Sequence, residues 1–278
     1  MKVSVIGAGT MGNGIAQVFA QKGTDVILVD TFPDAIKKAL ETMKSSLEKL
    51  QRKGAIREDP NIVLSRIKTE TSLSALSESD VYIEAVPERP EIKKTAIEAI
   101  SSGARPDSIV ASNTSSISIN LLSSYCKFPQ NFVGMHFFNP VPVMKLVEIV
   151  KSNRTSEETL NKVMSLVTLL DKQYVVSSDY PGFISNRILM PLLNEAMLAL
   201  EQGISTKEDI DKTMKLGMNH PMGPLELADF IGLDVTRDIM EVLYREFGDH
   251  RYKPPIILRN LVNSGKLGRK SGEGFYKY

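Results

Sequence analysis

The sequence predicts an α/β fold: a doubly wound, mainly parallel sheet over residues 1–180, followed by an all-helical domain over residues 181–278. Three observations carry that prediction. Short β-branched, apolar runs alternate with segments of helical period through about the first two-thirds of the chain. The first run meets a glycine-rich turn, a helix and a second strand, a βαβ unit whose crossover is right-handed. After Asp179-Tyr180-Pro181-Gly182 the strand signals stop, and the Pro-Gly pair marks a boundary. A chain of 278 residues also suits two domains better than one.

The elements follow in order. "KVSVI" at residues 2–6 is the first strand and "DVILVD" at 25–30 the second, with "IAQVFAQKG" between them at helical spacing. Residues 35–53 form a long helix with Lys37, Lys38, Lys44, Lys49, Arg52 and Lys53 on a basic face; Gly54 stops it, and a shorter segment runs to Ser65. A simple crossover needs less, so residues 34–65 are expected to insert a helical hairpin that stands off the sheet. Strands are predicted near 67–69, 81–86, 108–113, 132–137, 145–150 and 174–178, with helices at 90–102 and 156–170. Beyond the boundary, helices are predicted at 184–202, 207–216, 224–228, 233–247 and 255–262.

Composition narrows the function. Thirty-four basic residues against thirty-three acidic ones give a net charge of +1, so no general nucleic-acid surface is expected. Cys126 is the only cysteine, which excludes an intrachain disulfide and leaves no thiolate metal cluster to expect. The best apolar run, residues 188–200, is broken by Pro191, Asn194 and Glu195, so no membrane span is expected. A strand beginning near Met1 leaves no room for a leader, and a cytoplasmic protein is the expectation.

Gly7-Ala8-Gly9-Thr10-Met11-Gly12 matches G-x-G-x-x-G between a strand and a helix, and Asp30 ends the next strand 18 residues after Gly12. In that context the pattern is the Rossmann-type fingerprint. Gly7 permits the tight turn, Gly9 lets backbone approach a pyrophosphate at the helix N-terminus, and Gly12 allows close helix–strand packing. Thr10 and Met11 lie inside the same cofactor turn. Asp30 accepts hydrogen bonds from an adenine-ribose diol and repels a 2′-phosphate. No arginine follows it directly, so NAD is favoured over NADP. FAD uses the same turn, but a nicotinamide is the simpler reading with no second nucleotide site in view.

Three histidines are present: His136, His220 and His250. Taken alone, His136 in "MHFFNP" reads as a packed core imidazole. Its position at the C-terminal end of a strand, where open parallel sheets place ligands, argues otherwise. So does Glu148 inside the apolar "LVEIV", because a carboxylate there is costly unless paired. A Glu–His pair fixes the imidazole tautomer and raises its basicity, which suits removal of an alcohol proton as hydride leaves carbon. Glu148 on a solvated sheet face is the other reading. His220 and His250 lie in polar turns. Phe137 and Phe138 are expected to supply an apolar wall.

The stretches "IGAGTMGNGIAQ", "ASNTSS", "GMHFFNPVPVMKLVEIV", "DYPGFISNRILMPLLNEA", "MKLGMNHPMGPLELADFIGLD" and "GRKSGEGFYKY" together resemble the L-3-hydroxyacyl-CoA dehydrogenase family, in order and over nearly the whole chain. The resemblance implies a homodimer formed through the C-terminal helical domain, oxidising a 3-hydroxyacyl-CoA to the 3-oxo thioester with NAD. It implies His136 as base, Glu148 as its orienting partner, Ser115 on the substrate oxygen and Asn186 on the substrate. Asn113 and Asn139 fall near the nicotinamide, Glu88 and Lys93 along the NAD site, and Lys270 at a late lysine that reaches the cofactor. Ser46 and Lys53 fall at CoA contacts, lysines being point-charge phosphate binders, although a lysine-rich helix is usually just a solvated face. Ser115 and Asn186 could also serve as helix caps or braces. With no hydratase region alongside, the stand-alone form is expected, a form associated with short acyl chains such as 3-hydroxybutyryl-CoA.

Three other readings compete. A small hydroxyacid or sugar-acid dehydrogenase, such as an L-gulonate 3-dehydrogenase, would share the fold but has no use for a basic hairpin. A 3-hydroxyisobutyrate-type enzyme would use a lysine base. A non-enzymatic NAD-binding relative has no need of Ser115, His136, Glu148 and Asn186 together.

Overall fold

In the computed structural model, which describes residues 1–73, 76 and 78–278, the N-terminal unit is Met1–Tyr180 and the C-terminal unit Pro181–Tyr278. The N-terminal unit runs β1 (Lys2–Ile6), α1 (Thr10–Gln21), β2 (Asp25–Val29), α2 (Pro33–Arg52), α3 (Pro60–Ser65), β3 (Ile67–Glu70), β4 (Val81–Glu84), α4 (Pro90–Gly103), β5 (Ile109–Ser112), α5 (Ile119–Ser123), β6 (Phe132–Phe137), β7 (Leu146–Lys151), α6 (Glu157–Leu169) and β8 (Gln173–Ser178). The strands form one sheet in the order β3-β2-β1-β4-β5-β6-β7-β8. Helices cover both faces, which is why the inner strands read as unbroken apolar runs rather than alternating ones. β1 pairs in parallel with both β2 and β4, so the strand order reverses there.

All pairings are parallel except β6 with β7. The connection between those two, residues 138–145, is too short for a crossover helix and forces a hairpin. Alternation then sorts the side chains. Val133, Met135, Phe137, Val147 and Ile149 join the core packed with α1, α2 and α6. Gly134 presses against Ile119 of α5, with no room for a Cβ, and His136 and Glu148 share its face.

The hairpin does not stand clear of the sheet layers. α2 buries Ile36, Ala39, Met43 and Leu47, a single stripe, in the core it shares with α1, and α3 adds Val63. A polar surface composition masked that stripe. α5 was not predicted: five residues are too few to show periodicity, and its signal is the Ser118 cap, whose hydroxyl accepts from Leu121 N–H at 3.2 Å.

The C-terminal unit contains α7 (Ser185–Glu201), α8 (Lys207–Lys212), α9 (Pro224–Ile231), α10 (Leu233–Phe247) and α11 (Ile256–Asn263). Met190, Leu193, Met197, Leu225, Met240 and Leu243 are among its core residues. Where one helix was expected over 207–216, α8 gives way to a π-helical turn, Thr213–Gly217. α9 runs on to Gly232, whose φ of +106° ends it. The tail is pinned by Asp229, which accepts from Phe275 and Tyr276 N–H, both at 2.9 Å. Among the described residues no helix is long and apolar enough to cross a membrane.

Candidate active site

The C-terminal ends of β1, β2, β4 and β6 bring the first group of residues together. Gly7 sits at φ +107°, and a Cβ there would lie 2.5 Å from the Ala85 carbonyl oxygen. A Cβ on Gly12 would lie 1.8 Å from the Gly7 oxygen. Both glycines are required by close backbone approach. At Gly9 a Cβ would meet nothing within 4 Å, so space is kept open at the N-terminus of α1, where a pyrophosphate fits. Asp30 steadies the turn, its Oδ2 accepting from Ala8 N–H at 2.7 Å and its Oδ1 from Phe32 N–H at 2.9 Å. A cleft of 730 Å³ opens between these residues, Phe32 and the first turns of α4. Asp30 and Glu91 are its charged lining, with no lysine or arginine among the described residues. An anionic wall without a cation fits a ribose diol and disfavours a 2′-phosphate.

His136 and Glu148 stand directly opposite each other on the antiparallel pair. Cross-strand neighbours share a face, and the imidazole Nδ1 lies 3.1 Å from Glu148 Oε2. His136 is 8% exposed and Glu148 1%. An ionised carboxylate only accepts, so Nδ1 carries the hydrogen and Nε2 is the basic nitrogen. Phe138 lies tilted against the imidazole, with centroids 4.7 Å apart. Phe137 does not line this site: it points through the sheet into the opposite core, as alternation requires. Asn113 Oδ1 accepts from Phe137 N–H at 2.9 Å and so ties the end of β5 to the histidine strand.

A second polar group lies on the same sheet face. Glu88 Oε1 accepts from Thr114 Oγ1 at 2.5 Å, Ser115 N–H at 2.9 Å and Ser116 N–H at 3.0 Å, and Ser115 Oγ lies 3.3 Å away. Partial burial works against its charge, but Lys93 and these hydrogen bonds hold the Glu88 carboxyl below the usual carboxylate range. Lys93 is 1% exposed, with Nζ 2.7 Å from Glu84 Oε1 and 3.2 Å from Glu88 Oε2. It is therefore buried beneath the cleft and not among the residues lining it. Glu84 also accepts from Ser112 Oγ at 2.5 Å and Val86 N–H at 2.8 Å. Sequence reasoning missed Glu84, although the signal it used for Glu148 was present: an acid closing the apolar strand "VYIE" must have a partner.

A smaller cavity of 340 Å³ lies on the other side of the glycine turn, lined by Gly9, Thr10, Gln17, Lys38, Thr42, Ser46 and Asn139, among others. Lys38, Thr42, Ser46, Lys49 and Lys53 follow one ridge of α2 and its cap at helical spacing. The structure brings Ser46 to the cavity and leaves Lys53 exposed at the far end of the helix. Asn186, in the first turn of α7, and Lys270 belong to the C-terminal unit. Asn186 is buried. Lys270 Nζ pairs with Asp234, 2.6 Å from Oδ2. No cluster of three or more His, Cys, Asp or Glu side chains suited to a metal occurs among the described residues.

Residues 2–180 match the 3-hydroxyacyl-CoA dehydrogenase NAD binding domain, and residues 182–278 match the 3-hydroxyacyl-CoA dehydrogenase C-terminal domain. The chain belongs to the 3-hydroxyacyl-CoA dehydrogenase family. It is an NAD-dependent oxidoreductase. A probable 3-hydroxybutyryl-CoA dehydrogenase of Deinococcus radiodurans is 49% identical over 278 residues, the whole of both chains. The mitochondrial hydroxyacyl-coenzyme A dehydrogenase of Sus scrofa is 41% identical, covering 99% of this chain and 90% of that one. The crystal structure of (S)-3-hydroxybutyryl-CoA dehydrogenase PaaH1 from Ralstonia eutropha superposes with a TM-score of 0.94 at 46% identity, covering 100% of this chain and 98% of that one. The doubly wound sheet with a helical C-terminal unit is the architecture of this dehydrogenase family.

Proposed function

We propose that this dehydrogenase interconverts (S)-3-hydroxyacyl-CoA and 3-oxoacyl-CoA with a short acyl chain, 3-hydroxybutyryl-CoA being the type, and that His136 is its general base. The single observation that carries the reading is the His136–Glu148 pair, a buried carboxylate on Nδ1 that leaves Nε2 as the basic nitrogen. Two relatives named for 3-hydroxybutyryl-CoA support the chain length.

Gly7, Gly9, Thr10, Met11, Gly12 and Asp30 would hold NAD, with the adenine ribose on Asp30. Bound NAD supplies the hydride acceptor. His136 Nε2 takes the proton of the 3-hydroxyl, and in the reverse direction the imidazolium returns it to the carbonyl oxygen. Glu148 holds the tautomer and steadies the cation that forms. Ser115 orients the substrate oxygen, its loop held by Glu88 and, behind that, by Lys93 and Glu84. Asn113 and Asn139 are assigned to the nicotinamide, Asn186 to the substrate and Lys270 to the cofactor. Ser46 and Lys53, on the basic ridge of α2, would take the polar and phosphate groups of CoA.

The protein is further proposed to be cytoplasmic and a homodimer. The C-terminal unit exposes Ile188 at 64%, Ile204 at 71% and Leu216 at 76%, apolar surface that a second copy would cover. The test of function follows NADH absorbance with 3-oxoacyl-CoAs of increasing chain length and, with NAD in the oxidative direction, free 3-hydroxyacids as comparators; NADPH replaces NADH in a parallel series. The expected result is highest kcat/KM with acetoacetyl-CoA and NADH. Turnover of free acids without turnover of thioesters would overturn the reading.

A further inference from the structure

Residues 138–145 join the histidine strand β6 to the glutamate strand β7 and carry Asn139 and Val141 into the wall of the cavity beside the glycine turn. Within the loop, Val143 and Met144 N–H both donate to Pro140 O, at 3.0 and 2.9 Å. Pro140 and Pro142 lack N–H groups, and Val143 is 62% exposed. The loop's far side is fastened from behind by a buried side chain. Helix α6 ends with Asp171 at φ +54°, with Asp171 N–H on Thr168 O at 3.0 Å and Lys172 N–H on Val167 O at 3.3 Å. That is a Schellman cap with aspartate in place of glycine. The turn directs Lys172 inward, where it is 8% exposed. Its Nζ donates to Val141 O at 2.7 Å and to Met144 O at 2.6 Å. Gln173 N–H adds a bond to Lys145 O at 2.7 Å. On the loop's other side Val141 lies so close to Gly14 of α1 that a Cβ there would sit 2.8 Å from it.

Burying an ammonium is costly. Here burial, helped by the charge of Lys145, pushes Lys172 down to about 8. A methionine would fill the same space without that cost. What the lysine adds is the fixed position of two carbonyls in the loop between the two strands.

We propose that Lys172 is a positioning residue for the reaction: it clamps the 138–145 loop against α1 and so sets where Asn139 meets the cofactor and how His136 stands to it. The inference rests on the roles given above to His136 and Asn139. The experiment compares Lys172→Met and Lys172→Gln with wild type in NADH-linked reduction of acetoacetyl-CoA, measuring kcat, both KM values and the melting temperature. A positioned group displaced by about 1 Å can cost up to ~100-fold, so kcat should fall about 10-fold or more in protein that is still folded. KM for acetoacetyl-CoA should change by less than about threefold. Combined with Asn139→Ala, Lys172→Gln should add little further loss, since both changes act through one contact. Unchanged kcat in either folded variant overturns the proposal, as does a loss that only tracks the unfolded fraction, or full additivity with Asn139→Ala. Should Lys172→Met not fold, Lys172→Gln, which keeps one donor group, makes the same comparison. Wild-type turnover of acetoacetyl-CoA checks the substrate separately, because the Lys172 effect is read as a ratio to wild type.

Discussion

Glu148→Gln replaces a buried carboxylate by an amide of the same shape. Glu148 is 1% exposed and its Oε2 lies 3.1 Å from His136 Nδ1, so the change acts on that contact. A carboxylate can only accept and therefore fixes the hydrogen on Nδ1; a glutamine can donate or accept and fixes neither tautomer. A hydrogen bond to a charged group contributes about 1.5–3 kcal/mol. If that contribution is felt as the imidazole gains charge, kcat should fall about 10- to 150-fold. The nucleotide cleft does not include Glu148, so KM for NADH should stay within about twofold. The assay is NADH absorbance with acetoacetyl-CoA, with far-UV circular dichroism and a melting curve to establish folding. An unchanged kcat in folded protein would refute the orienting role. So would a loss expressed only as a raised KM for NADH.

Other expectations follow from the same geometry. Asp30→Ser replaces the carboxylate just after β2 by a shorter, neutral hydroxyl and should raise KM for NADH about 10-fold at nearly unchanged kcat while improving NADPH relative to NADH; steady-state kinetics with both cofactors checks it, and unaltered KM values would contradict it. Gly12→Ala places a methyl group 1.8 Å from the Gly7 oxygen, which backbone must move to relieve, at a cost of about 1–3 kcal/mol; an unchanged melting temperature would contradict it. Glu88, held below the usual carboxylate range, contributes stability that is present above the ordinary carboxylate pKa and lost as pH falls through its lower folded value. Melting temperatures across that acid range should therefore fall less steeply for Glu88→Gln than for wild type, and parallel curves would argue against it.

Much of this was legible in residues, and the exceptions have physical causes. Period and glycine chemistry marked the βαβ start, because parallel strands buried on both faces must be apolar and a turn at φ +107° pressed against the Ala85 carbonyl has no room for a side chain. Glu148 was legible because charge inside an apolar strand demands a partner. Glu84 obeys the same rule: it lay inside the predicted strand 81–86 as plainly as Glu148 lay in its own, and the rule was not applied to it; the strand in fact ends at Glu84. Phe137 was misplaced by ignoring the two-residue period of its own strand. The seating of α2 was hidden by its lysines: only every third or fourth residue is buried. Lys172 left no local signal at all. Its partners are carbonyls about 30 residues earlier in the chain, brought near by pairing of β7 with β8, and backbone acceptors carry no side-chain signature.

The most direct test replaces His136 by alanine and measures kcat for acetoacetyl-CoA reduction, with folding verified and NADH binding followed by cofactor fluorescence. If His136 is the general base, kcat falls by about 10²–10⁴-fold while NADH still binds. A folded His136→Ala enzyme that turns over at the wild-type rate would return His136 to a packing role and leave the reaction without its base.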